Sequence, residues 1–138
     1  MTEQLTYEKA VEYAEAVVAE RGAGFAYSDG GSDYCFYIST TDPRFELIEF
    51  DGEEDEIPAE GAAVTGCLVG EILKRADLLT DSVATARKSI NQLCVNGEVP
   101  ADPEARYFLA YLQSEQDFGA SWSQALASAK ENVQKYNL

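Results

Sequence analysis

The 138 residues contain no histidine, and that one absence removes most of the chemistry a small domain usually employs. Histidine is the side chain whose ordinary pKa lies closest to neutrality. The commonest general base, the Ser-His-Asp and Cys-His arrangements and every imidazole metal ligand are therefore missing together. The three cysteines, Cys35, Cys67 and Cys94, stand far apart with no C-x-x-C pair, so neither a zinc knuckle nor a dithiol site is spelled out. Each reads as a small buried apolar side chain, with a single reactive thiol as the alternative. Gly22, Gly24, Gly30 and Gly31 match neither the Walker spacing nor the dinucleotide fingerprint.

Carboxylates are what remains, 25 of them against 10 basic side chains, for a formal net charge of −15. A pair in a concave setting could hydrolyse a glycoside. Tyr27, Tyr34 and Tyr37 near Asp29 and Asp33 are the best candidates for such a cleft, with packing across a hairpin as the alternative. The run Asp51-Gly52-Glu53-Glu54-Asp55-Glu56 alternates acids as the first ligands of an EF-hand do. Its sixth position, however, is Glu56 where glycine is needed, and its twelfth is Ala62 where glutamate is needed. The sequence thus predicts no catalytic residue, no metal ligand and no cofactor.

The distribution of charge says more than its total. Residues 1–60 hold sixteen acidic and three basic groups, whereas residues 61–138 hold nine and seven. An acidic N-terminal half repels phosphate backbones and anionic membranes and attracts basic protein surfaces. The expected partner is a protein with a basic surface; direct nucleic-acid or membrane binding is not expected. Tyrosine among these acids adds interface-forming potential, because it offers large contact area at low entropic cost. The expected contact residues are Asp29, Asp33, Tyr34, Tyr37, Glu53, Glu54 and Asp55.

These groups have to be positioned by secondary structure, and hydrophobic periodicity outlines it. Tyr7, Ala10, Val11, Ala14, Val17 and Val18 recur at spacings of three and four, so 6–21 reads as an amphipathic helix closed by Gly22 and Gly24. The period then shifts to two. Residues 24–29 and 33–39, rich in aromatics and separated by Gly30-Gly31-Ser32, read as a hairpin. Tyr34, Phe36 and Ile38 face one side of the second strand, and Cys35 and Tyr37 the other. After a turn at Thr41-Asp42-Pro43-Arg44, residues 45–50 read as a third strand.

Helices follow. Residues 59–76 are apolar almost all round, with Gly66 and Gly70 one turn apart. That spacing predicts close approach of another backbone, inside the core or at a homodimer interface. A helix from about Ser82 to Val95 takes Thr80 or Asp81 as its N-cap and closes at Asn96-Gly97. Asp102-Pro103-Glu104 begins the next helix, and Ser121 with Gln124 forms a capping box for the last.

The predicted fold class is α+β: an N-terminal helix with a small three-stranded antiparallel sheet, followed by a bundle of four helices. At 46% hydrophobic, the chain has material for one domain, with an acidic half at 1–57 and a helical half at 58–138. An odd, sparse set of cysteines and a start without a basic, apolar leader predict a cytoplasmic location with free thiols.

The stretch Ala101-Asp102-Pro103-Glu104-Ala105-Arg106-Tyr107-Phe108-Leu109-Ala110, continuing through Gln116-Asp117-Phe118-Gly119-Ala120-Ser121-Trp122, resembles uncharacterised small accessory proteins encoded by actinobacterial phages. The similarity extends over residues 59–130. It implies a phage accessory product acting inside a bacterium and carries over no functional residue.

The sequence therefore predicts a non-enzymatic acidic protein-binding module, such as a phage accessory factor that docks on a host protein. An alternative is an inhibitor of a nucleic-acid-handling protein, either a DNA mimic or an antitoxin or immunity protein. A carboxylate-based hydrolase and self-association through the Gly66/Gly70 helix are the remaining readings.

Overall fold

The computed structural model describes residues 4–22, 24–27, 36–48, 66–86 and 88–136. Its elements in chain order are α1 (Tyr7–Arg21), a 3-10 helix (Pro43–Leu47), α2 (Leu68–Arg75), α3 (Asp81–Ala84), α4 (Ile90–Val95), α5 (Pro103–Asp117) and α6 (Trp122–Tyr136). Among the described residues there is no strand. The sole ladder-like contact there is an isolated parallel bridge between Leu5 and Ala101. The described part of the chain is all-α, and this overturns the expected α+β fold with its three-stranded sheet.

Local capping explains where several helices begin and end. The Thr6 hydroxyl accepts from the Lys9 amide at 3.2 Å and starts α1. Asp102 accepts from the Ala105 amide at 2.7 Å and, with Pro103, starts α5. Ser121 and Gln124 exchange reciprocal bonds, both 3.2 Å, at the head of α6. Gly22 and Gly119 close α1 and α5 at φ values of 93° and 94°, in the left-handed region that glycine enters without steric penalty.

The aromatic stretch that reads as strand is used differently. Phe36, Tyr37 and Ile38 are all buried, and their alternation holds: Phe36 and Ile38 enter a small cluster with Ile48 and Ala84, while Tyr37 enters the main core. The segment is sandwiched between helices and has no neighbouring strand among the described residues. The Phe36 carbonyl accepts from the Cys67 amide at 2.7 Å, directly before α2.

The backbone of Tyr37 crosses α2 at Gly70 and the residue before its N-cap, Gly66, so closely that a Cβ on Gly70 would fall 2.7 Å from the Tyr37 Cα. A Cβ on Gly66 would meet the Tyr37 carbonyl oxygen at 2.8 Å. The two small residues therefore serve backbone packing inside one chain.

The expected third strand at 45–50 is also corrected, because residues 43–47 form the 3-10 helix. Asp42 caps it, accepting from the Arg44 amide at 2.9 Å, and Pro43 supplies a preset φ at its first position. Arg44 then holds Asp42 at 3.0 Å and donates to the Leu79 carbonyl at 2.7 Å. These bonds tie the turn to the loop before α3. The expected hairpin turn at Gly30-Gly31-Ser32 lies outside the described residues.

Two helix boundaries also differ from expectation. Gly66 and Cys67 are not helical, and Cys67 is the N-cap of α2, with residues 59–65 outside the described set. The helix expected from Ser82 to Val95 is two short ones. Thr80 caps α3, which ends at Thr85, and Ser89 starts α4 through a capping box with Gln92. In place of four helices, five follow the 3-10 turn among the described residues.

The main core joins α1 to α2, α5 and α6, and α5 to α4 and α6, so the acidic first helix shares one hydrophobic cluster with the later helices. Trp122 and Phe108 are its largest fully buried side chains. Phe25 meets the Trp122 ring edge-on at 4.5 Å, and Tyr7 meets Phe108 at 5.4 Å.

Candidate functional site

Buried polar groups are the first place to look for chemistry, and two glutamines on α5 supply them. Gln113 and Gln116 are 8% and 5% exposed, on the stripe that also carries Leu109 and Leu112. The Gln113 Oε1 accepts from the Ile90 amide at 2.9 Å, and its Nε2 donates to the Tyr37 hydroxyl at 3.1 Å. That hydroxyl in turn donates to the Lys88 carbonyl at 2.7 Å. The Gln116 Oε1 accepts from the Leu68 amide at 2.8 Å and from the Trp122 indole at 3.0 Å. Ile90 and Leu68 are the first residues of α4 and α2, whose opening amides have no partner within their own helix. One helix thus caps two others from its side, and the network is structural.

Of the seven expected contact residues, Tyr37 alone lies among the described residues. It is 2% exposed, with its ring in the core and its hydroxyl in this network. There it ties the segment before α2 to α5 and to the Lys88 carbonyl. Asp29, Asp33, Tyr34, Glu53, Glu54 and Asp55 lie outside the described residues. Tyr27, from the proposed tyrosine cleft, accepts from the Phe36 amide at 2.9 Å and so also serves packing.

Two surface features stand out among the described residues. The first is acidic. The Leu5–Ala101 bridge sets the starts of α1 and α5 side by side, through Leu5 N to Pro100 O at 2.8 Å and Asp102 N to Leu5 O at 2.9 Å. Between them lies a cleft of about 320 Å³ lined by Thr6, Tyr7, Glu8, Asp102 and Glu104. Burial, followed by the Glu104 charge, raises the Tyr7 hydroxyl above its usual pKa. Glu8, Glu12 and Glu15 continue the acidity along the exposed side of α1, with Lys9 pairing to Glu12 at 3.3 Å. Among the described residues no group of three or more His, Cys, Asp or Glu is arranged to hold a metal ion.

The second is a groove of about 360 Å³ between the start of α4 and the second half of α5. Ile90 and Ala110 contribute apolar surface, while Gln113, Ser114 and Asp117 contribute polar surface. Phe118 stands at its edge, 88% exposed. Sequence periodicity missed Phe118 because it falls off the buried stripe of α5. That displacement, an aromatic residue out of register beside a helix-ending glycine, was the available signal. Gln113 and Gln116 carried the opposite one, polar residues set within an apolar stripe.

Neither cysteine among the described residues has the surroundings of a nucleophile. Cys67 is fully buried, and its sulfur accepts from the Gly70 amide at 3.4 Å. Burial pushes the Cys94 thiol up to about 11, against a weaker opposite pull from Arg106. Among the described residues, no helix is long and apolar enough to cross a membrane.

Comparison with protein-family models, with curated proteins and with solved structures found no match. The functional reading therefore rests on the chain's own residues.

Proposed function

We propose that this chain is a non-enzymatic, acidic protein-binding module of the bacterial cytoplasm that docks on a protein with a basic surface. The observation that carries this reading is the acidic side of the molecule. There Glu8, Glu12 and Glu15 run along α1 and join Asp102 and Glu104 across the cleft between two helix starts. Such a concentration of carboxylates steers a basic partner and disfavours acidic ones. The resemblance to accessory proteins of actinobacterial phages suggests a host protein as that partner.

The test is affinity capture from an actinobacterial lysate with stepwise salt elution, comparing the native chain with a Glu8→Lys, Glu12→Lys, Glu15→Lys variant. One basic protein retained by the native chain, released by salt and lost by the variant supports the reading. A partner held equally by both shows that acidity does not drive the association.

A second reading is favoured by the spacing of the same row. Helical rise separates Glu8 from Glu12 by roughly 6 Å and Glu12 from Glu15 by roughly 4.5 Å along the axis, an ordered line of negative charge. A DNA mimic would use such a line, and duplex DNA would then compete with the chain for its captured partner, more strongly as salt falls.

A further inference from the structure

We propose that Asn96-Gly97 is a spontaneous deamidation site, held shut by the last turn of α4, and that its product loosens the Leu5–Ala101 bridge.

The chain has four asparagines, and Asn96 is the one followed by glycine. Deamidation begins when the backbone nitrogen of the next residue attacks the side-chain carboxamide carbon. Glycine leaves that nitrogen open to approach, because it has no Cβ. Asn96 and Gly97 are both exposed, and a Cβ built on Gly97 would meet nothing within 4 Å. Solvent therefore reaches both reacting groups.

The reaction needs no partner but water. The Gly97 nitrogen bonds to the Asn96 Cγ, its proton passes through solvent to the departing Nδ2, and ammonia leaves. Water then opens the five-membered succinimide. Breaking the bond from nitrogen to Cγ gives aspartate; breaking the bond from nitrogen to the main-chain carbonyl carbon gives isoaspartate. No atom is oxidised or reduced.

Folding opposes the first step. Ring closure requires the Gly97 nitrogen to lie over the Asn96 Cβ, viewed along the Cα–C bond. At ψ −8° it lies over the Asn96 nitrogen instead. Rotating it away breaks the hydrogen bond from the Gly97 amide to the Cys94 carbonyl at 3.1 Å. It also disturbs the fully buried Val99, whose amide donates to the Leu93 carbonyl at 3.1 Å. The site thus reacts from conformers in which the closure of α4 has opened.

Both products act on the same stretch. Aspartate puts a negative charge at the C-terminal end of α4, where the last carbonyls already disfavour it. Isoaspartate routes the chain through Cβ and Cγ and adds a methylene just ahead of residues 98–101. That stretch receives the Leu5 amide on the Pro100 carbonyl at 2.8 Å, and so sets the two helix starts of the acidic cleft side by side.

The test incubates the full chain at pH 8, folded or in guanidinium chloride, and follows the mass gain of the peptide carrying Asn96. Asp29-Gly30 and Asp51-Gly52 can also form isoaspartate, but without that gain. In denaturant Asn96 should react ahead of Asn91, Asn132 and Asn137, and folding should slow it at least about tenfold. Ser89→Ala removes the capping box of α4 and should speed the folded reaction about fivefold. Amide exchange at Leu5 and Asp102 should be faster in the deamidated chain.

A gain led by another asparagine, or none in denaturant, would overturn the site. Equal rates in the folded and denatured chain, or no response to Ser89→Ala, overturn the role of the α4 closure. Unchanged exchange at Leu5 and Asp102 after deamidation overturns the link to the bridge.

Discussion

The Gln113 carboxamide donates to the Tyr37 hydroxyl at 3.1 Å across 76 residues of sequence, joining the segment before α2 to the middle of α5. The same carboxamide accepts from the Ile90 amide, so one side chain fixes the aromatic segment and the start of α4 together.

Replacing Gln113 by leucine keeps the volume and removes both bonds. It leaves the Ile90 amide and the Tyr37 hydroxyl short of a partner in a buried setting, at an expected cost of about 1–3 kcal/mol in urea unfolding. Tyr37→Phe should cost less, about 0.5–1.5 kcal/mol, because the ring stays. The two effects should be non-additive in a double-mutant cycle. Additive effects would show that the contact between the two side chains contributes nothing of its own.

Gly70→Ala tests the backbone crossing, and the sign of the effect is the readout. Inside a helix, alanine is ordinarily favoured over glycine by about 0.5–1 kcal/mol. Here the added Cβ runs into the Tyr37 backbone, and overpacking of that kind costs typically about 1–3 kcal/mol. Net destabilisation in thermal unfolding is expected. A stabilised variant would mean that Tyr37 does not lie against α2.

Cys94 should resist alkylation in the native state. With its thiol raised to about 11, thiolate is scarce near neutrality, and Cys67 has no exposed surface. In a Cys35→Ser background, iodoacetamide at pH 8 should label the native chain far more slowly than the denatured one. The raised pKa also has a consequence for stability. Below the ordinary thiol value of 9.0 the buried neutral form contributes in full, and the contribution is lost as pH climbs through about 11. Unfolding of the native chain should therefore become easier over that alkaline window than unfolding of Cys94→Ala.

Asp42 sets an acid-side dependence. Its hydrogen bonds from Arg44 hold the carboxyl below its ordinary value of 3.8, opposed by partial burial. A depressed carboxylate stabilises above the unfolded value, and that stability is lost as pH falls below 3.8 through the folded one. Asp42→Asn keeps a capping oxygen and should cost only about 0.2–1 kcal/mol at neutral pH, since the pair with Arg44 is partly solvated. Asp42→Ala loses the cap as well and should cost about 1 kcal/mol more. The difference between native and Asp42→Asn should shrink in acid when measured by urea midpoints. A constant difference down to pH 2 would remove the Arg44 pairing from the account.

Composition and local order determined a good deal. The absence of histidine and the excess of carboxylates are properties of the chain alone. So are the starts at Asp102-Pro103 and Ser121 and the closure at Gly22, because a cap is completed within about four residues. The small pair Gly66 and Gly70 announced a close backbone approach without saying whose.

Tertiary structure decided what the aromatic segment became. Alternation at Phe36, Tyr37 and Ile38 is satisfied equally by a sheet with two faces and by a strap between two apolar clusters. Only the partners supplied by α2, α3 and α5 distinguish the two. The same holds for the helix starts at Leu68 and Ile90, whose amides are met by Gln116 and Gln113 at separations of 48 and 23 residues. Periodicity records which side of an element is apolar; what lies against that side is decided by the whole chain at once.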